Sequence, residues 1–172
     1  MPVAKIRAAS AASRADQIRA QLGESWLSQI YIDRVLSLRT RSYHFGGFPG
    51  RAQVEIHHTL LGVELKVGRR RFLCPDLATA RYLSVFARVS CNDVAIPYDI
   101  TQLSLVADWF ESSWQRMLLL IDHEAPETMR TRIRGLLIAK LRAEIAAAGA
   151  GTAMPEFKLS TRQKRAGLNS AD

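Results

Sequence analysis

Residues 54–74 read VEIHHTLLGVELKVGRRRFLC, and the period of this stretch decides the fold. Val54, Ile56, His58 and Leu60 alternate with Glu55, His57 and Thr59. Val63, Leu65 and Val67 alternate with Glu64 and Lys66. Gly68 and Arg69 supply a turn, and Arg71, Phe72, Leu73 and Cys74 return. Successive side chains on a strand point to opposite faces. The stretch therefore predicts three short antiparallel strands with one face buried.

Outside this stretch the spacing turns helical. A helix is expected over residues 15–22, interrupted by Gly23. Another is expected over residues 25–38, where Leu27, Ile30, Tyr31, Val35 and Leu38 recur every three or four positions. Gly46, Gly47, Pro49 and Gly50 mark a loop. Beyond the strands, Asp76 is placed to cap a helix running to about Val89. Val94, Ala95 and Ile96 form a brief apolar strand stopped by Pro97.

Asp99 and Gln102 have the spacing of a capping box. Leu103, Val106, Phe110, Trp114, Met117 and Ile121 follow as one stripe, on a helix ending near His123. Leu105, Trp109 and Leu118 widen that face, which is either shared with another chain or, as expected first, set in the centre of the domain. Pro126 suits a first helical turn. Met129, Ile133, Leu136, Leu137, Leu141 and Ile145 make a second stripe, ended by Gly149 and Gly151. The order predicts an α+β domain. Its parts are a small, mostly antiparallel sheet (a three-strand meander plus one short strand), covering helices, and a C-terminal antiparallel helix pair. The expected division is a flexible N-terminus over residues 1–14, a single domain over 15–150, and a flexible basic tail over 151–172.

Charge is unevenly spread. Residues 1–100 hold fourteen Lys/Arg against eight Asp/Glu, whereas residues 101–150 hold six of each. The last 22 residues hold four against two, and the formal net charge is +8. Such a balance points to a polyanionic partner. No apolar run approaches the roughly 20 residues a membrane helix needs, and no apolar signal core follows the first residues. Residues 4–14 are rich in Ala, Ser and Arg and lack acids, a composition shared by transit peptides and by polar termini. Cys74 and Cys91 adjoin apolar runs and are expected to be buried, reduced thiols, which suits a cytoplasmic protein.

Arg69, Arg70 and Arg71 at a hairpin turn could grip phosphates or keep a sheet edge soluble. Arg51, Lys66, Arg81 and Arg88 are near them in sequence. Tyr43, Phe45 and Phe48 beside Arg39 and Arg41 could form a stacking platform, although such rings more often tuck against a core. Lys158, Arg162, Lys164 and Arg165 make the tail a basic arm, and Phe157 and Leu159 could dock as a linear motif.

Glu64 and Lys66, two apart on a strand, share a face and could hold Mg²⁺ and orient a hydroxide. The string from Val63 to Val67 resembles the glutamate-x-lysine signature of the restriction-endonuclease-like nucleases, as does the order helix, three strands, helix, strand. The resemblance implies a metal ligand at Glu64 and a water-orienting base at Lys66. That family also places an acid on the preceding strand, where Glu55 is the candidate at a short spacing. It carries the signature on its third strand, whereas here it falls on the second.

His44, His57, His58, Cys74 and Cys91 show no structural-zinc spacing. Ser10, Ser13, Ser112 and Ser113 lack the glycines of a nucleophile elbow, and no phosphate loop or dinucleotide fingerprint occurs. No cofactor and no resident metal are expected. The first functional reading is a non-catalytic protein that binds RNA or DNA through the basic turn, the Arg39/Arg41 margin and the tail. An assembly or scaffold factor for an acidic protein and a metal-dependent nuclease built on Glu55, Glu64 and Lys66 stay open as alternatives.

Overall fold

The computed structural model of the chain describes residues 2–47 and 53–151, with side chains from residue 10 onward. Helix α1 (Pro2–Leu22) is followed by a 3₁₀ turn (Gly23–Ser25), the short α2 (Leu27–Ile30) and a π turn (Tyr31–Val35). Strands β1 (Thr40–His44), β2 (Val54–Thr59), β3 (Gly62–Val67) and β4 (Arg70–Cys74) come next. Helix α3 (Leu77–Val89), strand β5 (Asp93–Pro97) and helices α4 (Ile100–Glu124) and α5 (Glu127–Ala148) complete the order. The class is α+β, as the periodicities predict.

The meander β2-β3-β4 is antiparallel throughout, with Ile56 opposite Leu65 and Leu65 opposite Phe72. Its inner face carries Val54, Ile56, Val63, Leu65, Val67, Phe72 and Cys74 and packs against the core. The short strand does not join this sheet. β5 pairs with β1 in a separate two-stranded antiparallel sheet. From sequence this segment belongs to a loop starting at Tyr43 with Arg39 and Arg41 at its margin, because Thr-Arg-Ser-Tyr-His lacks the apolar alternation of a half-buried strand.

Helix α3 occupies the centre. Asp76 caps it by accepting the Thr79 N–H at 2.7 Å. Nine of its residues from Thr79 to Val89 are buried, and the narrow face of Leu77, Arg81 and Arg88 reaches solvent. The meander lies against it, and α4 and α5 pack on it too. On α4 the predicted stripe from Leu103 to Ile121 is buried, and Asp99 accepts from the N–H groups of Thr101 and Gln102. Leu118 is partly buried, but Leu105 and Trp109 are exposed rather than central, since they face away from α3. On α5, Ile133, Leu137, Leu141 and Ile145 are buried and Leu136 is exposed.

The helix expected from residue 15 starts at Pro2, inside the stretch expected to be flexible. Its buried positions are Ala11, Ala15, Ile18 and Leu22, spaced four, three and four apart. Two alanines make that stripe hard to read as apolar, yet they let α1 lie close on α4 and α5. Arg19 and Asp16 of α1 then reach Glu144 and Lys140 of α5 at 2.7 and 3.2 Å. Cys74 and Cys91 are buried free thiols. Among the described residues no helix is long and apolar enough to cross a membrane.

Candidate polyanion interface

Strand β1 builds the site. Arg39, Arg41 and Tyr43 alternate along the chain, so their side chains leave the backbone on one side, spread over roughly 13 Å at the usual strand rise. Register explains what meets them. Thr40 lies opposite Pro97, and the Tyr98 N–H donates to the Arg39 carbonyl at 3.1 Å. Arg39 therefore sits beside Tyr98, its guanidinium 5.1 Å from the ring centroid. Arg41 is exposed.

At the far end, Phe45 is buried and makes edge-to-face contacts with Tyr43 at 5.0 Å and with Phe72 at 5.7 Å. Those contacts dock the end of β1 against β4. Arg70 seals the junction by donating to the carbonyls of Phe45 and Gly47, and it lies 4.9 Å over the Phe72 ring. Gly46 (φ 76°) permits this approach, because a Cβ there would come within 3.1 Å of the Arg70 guanidinium. Burial pushes the Tyr43 phenol up, with the Cys74 thiol adding to it, while Arg41 and Arg70 pull it back. Both cations thus act on the same ring, and Arg69 stands exposed at the turn next to Arg70.

The three turn arginines have different employments. Arg70 is a structural pin. Arg71 faces Glu64 at 3.5 Å. Arg69 makes neither of these contacts and is the free cation of the turn among the described residues. Elsewhere Arg81 forks onto Glu111 and Asp108, stapling α3 to α4, and Arg130 donates to the carbonyls of Ala125 and Asp122. Arg88 is exposed on α3, away from β1.

In sequence Arg39, Arg41 and the run Arg69 to Arg71 are separate features; of that run, Arg70 meets the end of β1 through the Phe45 and Gly47 carbonyls, while Arg71 faces Glu64. It missed Tyr98, for which the register of an unrecognised strand was the needed signal. Phe45 is buried and is no platform. Phe48, Arg51, Lys158, Arg162, Lys164 and Arg165 lie outside the described residues.

The meander's outer face carries Glu55, His57, Glu64, Lys66 and Arg71. Glu55 lies opposite Lys66, and His57 opposite Glu64. The nuclease trio therefore does share one face. Its carboxylates are occupied by neighbours. Glu55 accepts from His57 at 2.9 Å and Gln53 at 2.8 Å and pairs with Lys66 at 3.7 Å, which holds it below the usual carboxylate range. The leading cause of that shift is the His57 hydrogen bond. Among the described residues no three His, Cys, Asp or Glu side chains gather as a metal site. Compared with known proteins, the chain matches no family model, no curated protein and no solved structure.

Proposed function

We propose that this chain is a non-catalytic protein that binds a polyanion, RNA or DNA, through β1 and the β3–β4 turn. One arrangement carries the reading: Arg39, Arg41 and Tyr43 leave β1 on one side, and Arg70, next in chain to Arg69, is held against the end of that strand although it comes from a separate stretch of sequence. Cations at strand spacing with interleaved rings suit a phosphate backbone. The net charge of +8 adds long-range attraction for the same class of ligand.

Fluorescence anisotropy with labelled RNA and DNA across a salt series, with and without Mg²⁺, tests it. Micromolar or tighter binding that weakens with salt, and weakens further in the Arg41→Ala/Arg69→Ala double variant, supports the reading. Absence of binding near physiological salt overturns it and directs the search to an acidic protein partner. Loss of full-length probe that needs both Mg²⁺ and Glu64 would replace a binding protein with a nuclease.

A further inference from the structure

Two exposed aromatic side chains, one beside Arg39 and one on helix α4, each carry an arginine. Tyr98 is 39% exposed with Arg39 over its ring. Trp109 is 38% exposed, and Arg34 lies over its ring at 4.8 Å. Asp99 caps α4 directly after Tyr98, and Trp109 lies on that same helix. Arg34 lies in the π turn, and Arg39 ends the short link from that turn to β1. Ile32, Ile100 and Leu105 are also exposed in these segments. Helix α4 thus connects the Tyr98–Arg39 pair to the Trp109–Arg34 pair, and the segment from the π turn to β1 connects Arg34 to Arg39, Arg41 and Tyr43.

Such a surface distinguishes between nucleic acids. A duplex offers phosphates but keeps its base faces stacked inside. A single strand offers both, and its bases stack on aromatic rings and on guanidinium planes. Rings held open to solvent with an arginine alongside can supply both contacts. We infer that the ligand class of this surface is single-stranded nucleic acid, with phosphates on Arg41 and Arg69 and bases on Tyr98 and Trp109. This inference rests on the polyanion reading.

The test titrates the full chain with three probes: a single-stranded oligouridine, an RNA duplex of equal length, and inorganic polyphosphate, which has charge without bases. The single strand should bind more tightly than the duplex. Tyr98→Ala and Trp109→Ala should each weaken single-strand binding about tenfold and leave polyphosphate binding unchanged. The native chain gives a readout that needs no variant. Trp26 and Trp114 are buried, so quenching by oligouridine should come from Trp109, and polyphosphate should not reproduce it. Equal affinity for duplex and single strand, or quenching by polyphosphate as strong as by oligouridine, would overturn the single-strand inference and leave the polyanion reading standing. Failure of all three probes to bind would overturn both.

Discussion

The Tyr31 hydroxyl accepts the backbone N–H of Ala95 at 2.9 Å and donates to the Gly149 carbonyl at 2.6 Å. The Tyr82 hydroxyl donates to the Ala95 carbonyl. Ala95 lies opposite Ser42 in the β1–β5 pair. Both of its backbone polar groups are thus satisfied by tyrosines at the edge where a third strand would add. This is why β5 does not extend the meander: its second edge is already hydrogen-bonded, and a buried edge must be satisfied one way or another. Tyr31→Phe removes the partner of two backbone groups at once. It should cost about 1–3 kcal/mol. A lower urea midpoint at unchanged slope would show it.

The same burial predicts alkaline sensitivity. Burial pushes the Tyr31 phenol up to about 12, and the Cys91 thiol up to about 12. Each group has a folded pKa above its unfolded value, so the folded state holds the proton more tightly. Their contribution is fully present below the unfolded values, 10.0 for Tyr and 9.0 for Cys, and is lost as pH rises toward 12. Urea midpoints should therefore fall from about pH 9 upward. Cys91→Ala should flatten the decline from its onset, whereas Tyr31→Phe should flatten only the part above about pH 10. A midpoint that does not change across this range would contradict the assignment.

How far the sequence carried the fold depended on side-chain contrast. The meander was legible because Val54, Ile56, Leu65 and Val67 alternate with charges, and α4 because its stripe is large and apolar. β1 was not legible, since its packing is set by what β5 and Phe45 bring to it and not by its own residues. The start of α1 was hidden because Ala11 and Ala15 bury little surface. At the candidate site the arginines could be named, but their neighbours could not. Arg70 and Arg69 are adjacent and chemically identical in sequence, and only the position of the Phe45 and Gly47 carbonyls separates a pin from a free cation.

That separation is testable. Arg69→Ala should leave the melting temperature unchanged, weaken polyanion binding, and lower the slope of log affinity against log salt by about 0.7 if one single-strand phosphate contact is lost. Arg70→Ala removes bonds to two carbonyls and should destabilise the fold by about 1–3 kcal/mol. Paired thermal melts and salt titrations would distinguish the roles. Equal loss of stability in both variants would contradict them.

Glu144 joins three helical segments. It accepts from the Trp26 indole N–H at 2.6 Å and from the Ser28 hydroxyl, and it pairs with Arg19 at 2.7 Å. α1, α2 and α5 are thereby tied at one carboxylate. Glu144→Ala leaves the Trp26 and Ser28 donors without this acceptor and should cost about 1.5–3 kcal/mol. Arg19→Ala removes only the more exposed partner and should cost less than about 1 kcal/mol. Urea denaturation of both variants gives the comparison, and a larger effect at Arg19 would place the strength in the ion pair instead.

Ser90 ends α3 in the left-handed region, with φ 62° and ψ 40°. The Ser90 N–H donates to the Ala87 carbonyl at 3.0 Å and the Cys91 N–H to the Phe86 carbonyl at 3.1 Å, closing the helix in the manner usually given to glycine. A residue with a Cβ is disfavoured in this conformation by about 1–2 kcal/mol. Glycine would relieve that strain while gaining about 0.4–1 kcal/mol of freedom in the unfolded chain. The two effects leave Ser90→Gly more stable by about 0–1.6 kcal/mol. Ser90→Val should move the opposite way, since a β-branched residue tolerates positive φ least. A urea midpoint that rises for glycine and falls for valine is the expected pair. A fall for glycine would mean that the Ser90 side chain contributes a contact worth more than the strain it carries.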